Sequence, residues 1–201
     1  MEVQNFQEIE GNWKEGQFEG KCKFQFEEGE KFEGQVSSGQ KNGYGIYYYN
    51  DNEFYEGNFE NDLKNGQGKY CYKDGSIYEG EWLDDKKHGQ GLLKLSNKSQ
   101  YEGQFKNGFF EGQGTYKFFD GKIYNGNWKE DLMDGEGTLS FPEGHQIKGQ
   151  FQQGGIIGEV ELTYPNGDFY KGTIYRGKEH GRGKFKYTNG DIYEGQWKDG
   201  K

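Results

Sequence analysis

Apolar and polar residues alternate in short stretches along this chain. Tyr78-Glu79-Gly80-Glu81-Trp82 puts apolar residues and glycine at every second position, with glutamates between them. Gly112-Gln113-Gly114-Thr115-Tyr116-Lys117-Phe118 does the same. A period of two is that of a β-strand with one apolar face. The strands recur at a fixed interval. Ile9, Phe32, Tyr55, Tyr78, Tyr101, Tyr124, Ile147, Tyr170 and Tyr193 stand 23 residues apart, each followed two places later by glycine. A second glycine column runs through Gly20, Gly43, Gly66, Gly89, Gly112, Gly135, Gly158 and Gly181. A fixed period in this range marks an array of one repeated supersecondary unit.

Each unit therefore reads as two strands. Asp74-Gly75, Asp120-Gly121, Asn166-Gly167 and Asn189-Gly190 separate units and predict tight hairpin turns, since both residues of such a pair take φ > 0. The turn inside each unit, such as Asp84 to His88, is predicted to be the longer one. Glycine normally weakens a strand. Here it shares the face that carries the rings, so a missing side chain leaves a pit in which a neighbouring ring can lie on the backbone. That predicts an all-β, elongated, single-layer antiparallel β-hairpin solenoid. At two strands per repeat and about 4.8 Å per strand it would be roughly 80 Å long.

Composition sharpens this picture. Hydrophobic residues make up only 30 % of the 201, but aromatics reach 18 %, and each ring buries a large area. The 36 glycines and 2 prolines favour short strands and turns. The 25 basic and 34 acidic residues leave a net charge of −9, which opposes binding to nucleic acid. Residues 1–8 form an N-terminal extension without the basic segment and apolar run of a signal peptide. No stretch approaches the roughly 18 apolar residues of a spanning helix. Cys22 and Cys71 lie two repeats apart, roughly 20 Å at that strand spacing, too far for a disulfide, and a reducing cytoplasmic setting follows.

The unit Tyr-Glu-Gly-x-Trp-x-x-Gly-x-x-x-Gly-x-Gly, ending in Asp-Gly, resembles the MORN (membrane occupation and recognition nexus) repeat. Tyr193 to Gly200 and Tyr101 to Gly114 carry it most fully. The resemblance covers residues 9–201, as eight repeats and a partial ninth. It implies a twisted antiparallel sheet and a role as a non-enzymatic protein-interaction scaffold, with the cytoskeleton, cilium or axoneme (a radial-spoke-like assembly) as its setting. The alternative it implies is a phospholipid-binding regulatory array of a lipid kinase or membrane-junction protein. Some positions depart from the pattern. Cys22 and Val160 replace the third glycine, Asn52 and Lys98 the turn glycine, and the first, second and seventh units lack the leading Tyr.

Catalytic chemistry finds no foothold. His88, His145 and His180 read as polar turn residues and show no zinc spacing with the cysteines. Glu10, Glu33, Glu56, Glu79, Glu102 and Glu194 recur once per unit, as a solvated face does. The Gly-x-Gly pairs open no helix, so they are not phosphate loops. No catalytic, cofactor-binding or metal-binding residue is predicted, and no cofactor. Lys41, Lys64, Lys86 and Lys87 fall in the longer turns, yet a chain of this charge disfavours a membrane surface.

Partner binding is predicted at positions that break the rhythm. Phe109, Phe110, Leu132, Met133, Ile156 and Ile157 occupy the same turns in units five to seven. They form an exposed apolar ridge, or they fold back over the ring-bearing face. Tyr78, Trp82, Tyr101, Phe105, Tyr124 and Trp128 complete the candidate site, as a shallow groove for a partner's helix or extended segment. The final strand, Tyr193 to Trp197, offers an edge that a partner or a second copy would cover, giving a homodimer in the latter case, or that a continuation of the chain in a longer protein would pair.

Overall fold

The computed structural model describes residues 6–27 and 29–201. Every regular element among them is a β-strand. The chain forms two compact units, Met1–Gly108 and Phe109–Lys201. The first holds β1 (Phe6–Lys14), β2 (Gln17–Phe26), β3 (Lys31–Ser37), β4 (Gln40–Asn50), β5 (Glu53–Glu60), β6 (Leu63–Cys71), β7 (Ile77–Leu83), β8 (Lys86–Lys94) and β9 (Gln100–Lys106). The second holds β10 (Phe109–Lys117), β11 (Ile123–Lys129), β12 (Leu132–Ser140), β13 (Gln146–Gln152), β14 (Gly155–Thr163), β15 (Phe169–Tyr175), β16 (Lys178–Lys186) and β17 (Ile192–Trp197). Within each unit every strand pairs antiparallel with the next, so each is a single-layer meander.

The two kinds of turn are exchanged relative to the sequence expectation. Inside each repeat the connection is a two-residue loop. Leu83 pairs with Lys86, and Asp84 and Asp85 between them have φ of 47° and 64°. Asn61-Asp62 and Glu130-Asp131 do the same. These are primed turns, whose twist matches that of the strands. The Asp-Gly turns sit instead in longer loops. The Phe118 amide donates to the Lys122 carbonyl and the Gly121 amide to that of Phe118, leaving only Gly121 left-handed. That is a type I turn closed by a glycine bulge.

A single layer buries its rings against its own backbone. Tyr55, Tyr78, Tyr101, Tyr124 and Tyr170 are 0 % exposed. The Tyr78 ring lies over Gly80 on its own strand and Gly91 on the next. A Cβ on Gly91 would sit 2.5 Å from Tyr78 Oη and 2.6 Å from the ring. Beside this pit the ladder slips between Gly80 and Glu81, and the bulge falls at Gly89, where φ is +55°. A bulge takes backbone groups out of the ladder. Here the Tyr78 hydroxyl donates to the Glu81 carbonyl at 2.8 Å, and Tyr55, Tyr101, Tyr124 and Tyr170 bond the carbonyl three residues on at 2.8–3.0 Å. The ring at the repeat's fifth position closes the pit from outside. Trp82 meets Tyr55 at 5.3 Å and Tyr78 at 5.1 Å, and its indole N–H donates to the Gly68 carbonyl.

The departures from the pattern explain one another. Where Ile147 replaces tyrosine, Val160 replaces the glycine and is 2 % exposed, with Cγ1 3.2 Å from a Cβ placed on Gly149. Where Ile9 replaces tyrosine, Cys22 stands at the glycine position and is 3 % exposed. A shorter side chain on one strand is matched by a larger one across from it. Phe32 keeps its ring, and Gly34 and Gly45 are kept beneath it.

Candidate interaction surface

The ring-bearing face of each unit carries rows of side chains at repeat spacing. Tyr78, Trp82, Tyr101, Phe105, Tyr124 and Trp128, predicted as groove aromatics, are the floor, each no more than 6 % exposed. Further rings, buried or half-buried, stand beside them. Tyr47, Tyr49, Tyr70 and Tyr72 run in sequence across unit 1 with centroids 4.5–5.5 Å apart. In unit 2, Tyr116 meets Phe118 at 4.6 Å, and Tyr164, Phe185 and Tyr187 continue the row further along.

The other margin differs between the units. In unit 1 it is Lys41, Lys64 and Lys87, which lie on strands and not in turns. Each reaches across the rings. Lys64 Nζ is 5.5–5.7 Å from the centroids of Tyr49, Tyr55, Tyr70 and Trp82, donates to the Tyr49 hydroxyl at 3.1 Å, and pairs with Asp85 at 3.4 Å. Lys41 lies 4.9 Å from the Tyr47 centroid and pairs with Asp62 at 3.7 Å, and burial holds its ammonium below the usual lysine range against the pull of Asp62. Lys87 stands over Tyr72, Tyr78 and Phe105. Lys86 is exposed and opposite Leu83. Lys41, Lys64 and Lys87 are thus stems laid over aromatic faces, and Lys86 stands apart from them.

In unit 2 the same margin is Phe110, Met133 and Ile156. Phe110 meets Trp128 at 5.5 Å, Met133 is opposite Trp128, and Ile156 is opposite Phe151. Phe109, Leu132 and Ile157 point the other way and are 46–48 % exposed. The six residues, predicted either as one exposed ridge or as folded back over the ring-bearing face, therefore divide three and three between the two faces. Consecutive strand residues cannot share a face. The outward face otherwise carries a charge ladder, with Lys69 between Glu56 and Glu79, Lys171 on Glu161 at 3.0 Å and Lys184 on Glu194 at 3.6 Å. The recurrent glutamates belong to this ladder.

One interruption of the ring row leaves a hollow. Leu93 and Leu95 stand where the neighbouring repeat has Tyr70 and Tyr72. A cavity of about 430 Å³ opens there, walled by Tyr72, Leu93 and Leu95 and edged by Glu53, Asp74 and Lys87. Burial, then the charges of Asp74 and Glu53, push the Tyr72 hydroxyl up to about 12. Asp74 is held below the usual carboxylate range by hydrogen bonds from the Ser76 amide and hydroxyl. The cavity was not anticipated, although Leu95, in a column that elsewhere holds Phe or Tyr, was its signal. Phe119, in a loop at the edge of unit 2, was also missed and is 73 % exposed. Among the described residues no group of three His, Cys, Asp or Glu is placed to hold a metal ion, and no helix is long and apolar enough to cross a membrane.

No curated protein sequence matches the chain. Among solved structures, it resembles the wild-type TCP10 domain of Danio rerio CPAP with a TM-score of 0.53 at 16 % identity, over 94 % of this chain and 88 % of that one. The TCP domain of Drosophila melanogaster SAS-4 (dCPAP), solved in complex with a proline-rich motif of Ana2, gives a TM-score of 0.49 at 13 % identity, over 77 % and 84 %. Identities this low speak to the fold alone. The MORN repeat model matches residues 10–31, 32–53, 55–77, 78–100, 101–123, 124–146, 170–192 and 193–201. The stretch between, 147–169, is the repeat in which Ile147 and Val160 replace the tyrosine and glycine. With the period, the pits and the matched residues all in one frame, the chain belongs to the MORN repeat family.

Proposed function

We propose that this chain is a non-enzymatic protein-interaction scaffold whose ring-bearing face takes a helix or extended segment of a partner. The observation that carries this reading is that face itself. The described residues of neither unit form a second layer, so the half-buried rings of Tyr49, Tyr72, Phe118 and Phe141 border solvent above a buried floor. Contiguous apolar surface of that kind marks interaction sites. The cavity beside Leu95 lies within the usual size range of ligand pockets, about 300–1,000 Å³, and suits the anchoring side chain of such a segment. Membership of the MORN family supports a place in a cytoskeletal or ciliary assembly.

Photo-crosslinking tests the assignment. A crosslinking residue placed at Leu95 on the ring-bearing face is compared with one at Lys69 on the charged face, in native extract. Adducts to one protein from position 95, competed away by the unlabelled parent chain but not by unlabelled Leu95→Trp, whose indole fills the cavity, support the groove. Adducts from position 69 alone overturn it.

A further inference from the structure

The three-residue loops form a surface separate from both faces. In unit 2 they stack: Pro142 lies against Gly121, Pro165 against Gly144, and Thr188 against Gly167. This stacking brings Phe119, Pro142 and Pro165 into one row, at about 9.6 Å per repeat. The corresponding residues of unit 1 are Asn50, Lys73 and Ser96. Proline suits the second position of a type I turn, so Pro142 and Pro165 have a local reason to be there. Phe119 has none from turn chemistry. It is more exposed than any other large hydrophobic side chain among the described residues.

Charge identifies what this row would accept. The same loops carry Asp120, Glu143, Asp168 and Asp191 against one lysine, Lys122, a local balance of 1 − 4 = −3. Lys122 is itself paired to Asp120 at 2.9 Å. An apolar row bordered by carboxylates complements an apolar stripe bordered by cations. Two turns of helix rise about 10.8 Å, close to one repeat of the row. We propose that this loop edge docks a basic amphipathic helix of a partner protein, with apolar residues two turns apart on Phe119 and Pro142 and Lys or Arg on Asp120 and Glu143. The edge is separate from the ring-bearing groove, and the proposal does not depend on that reading.

The probe is a fluorescent designed helix of about 18 residues with a leucine stripe and lysine flanks, beside a twin with glutamate flanks. Anisotropy with the full chain is read at about 0.05 M and about 0.3 M salt. The lysine helix binds and the glutamate helix does not. Phe119→Ser weakens binding about tenfold, and Asp120→Asn with Glu143→Gln weakens it and flattens the salt dependence. Leu83→Ser, exposed on the charged face of unit 1, leaves affinity unchanged. Thermal melts by circular dichroism establish that each variant is folded. The proposal falls if Phe119→Ser binds like the parent chain, if both helices bind alike, or if neither binds.

Discussion

The Ile147–Val160 pair predicts how a tyrosine pit can be rebuilt. Gly91→Val alone drives a branched side chain into space where the first carbon would already lie 2.5 Å from Tyr78 Oη. Overpacking of this kind costs about 1–3 kcal/mol, and expelling the ring would forfeit burial of about 150–250 Å², roughly 4–6 kcal/mol at about 25 cal/mol per Å². Tyr78→Ile alone empties the pit and removes the hydroxyl that serves the Glu81 carbonyl, about 3–5 kcal/mol by analogy with large-to-small core changes. Together they reproduce the arrangement at Ile147 and Val160. The double variant should lose at least about 2 kcal/mol less than the two single losses summed, a coupling typical of residues in contact. Urea unfolding followed by tryptophan fluorescence reads it, since Trp82 abuts the pit. Adjacent repeats need not unfold in one step, so exchange protection of the β7 and β8 amides is measured alongside. Additive losses would refute the account of the paired departures.

Three further outcomes follow from the same geometry. Tyr124→Phe keeps the ring but orphans the Asn127 carbonyl, bonded at 3.0 Å, and should cost about 1–3 kcal/mol in thermal or urea unfolding. Asp131→Val should cost about 2–3 kcal/mol, because φ there is 67° and its carboxylate accepts from the Phe110 amide at 2.7 Å, whereas Asp131→Gly should fall well below that. Burial, helped by Asp134, pushes the Tyr124 hydroxyl up to about 12 from an ordinary value of 10. A raised value in the folded state means that the stabilisation is complete below pH 10 and is lost as pH rises from about 10 to about 12. Tyrosinate absorbance should therefore rise in two phases, exposed tyrosines first and the pit tyrosines with unfolding; a single phase near pH 10 with the fold intact would contradict this.

The strand pattern and the glycine columns were legible because both follow from period and side-chain size. The turns were not. Asp84-Asp85 carries no glycine, so nothing in its composition announces two left-handed residues. Asp120-Gly121 has the look of a two-residue turn, yet its glycine closes a three-residue loop. What decides between them is register, set by the bulge at the second glycine column. The apolar turns of units five to seven follow each of the two expected arrangements by half, for a simpler reason: Phe109 and Phe110 are consecutive on a strand, and alternation alone sends them to opposite faces. Lys41, Lys64 and Lys87 lie on strands and not in turns because β4, β6 and β8 begin sooner than a long turn would allow. Val160 and Cys22 were seen as departures, but their partnership with Ile147 and Ile9 appears only once strands are paired.

The contacts that bury each ring have a consequence for how such a chain grows. The pit of one repeat is sealed by the fifth-position ring of the next: Tyr55 by Trp82, Tyr78 by Phe105, Tyr124 by Phe151. Both ends of that seal recur every 23 residues, so excising or duplicating one whole period rejoins like with like. A gene slipping by that step changes the protein's reach in fixed increments. A slip that is not a whole number of periods breaks the register of the hairpin in which it falls, and selection then sees a damaged joint and not a longer sheet.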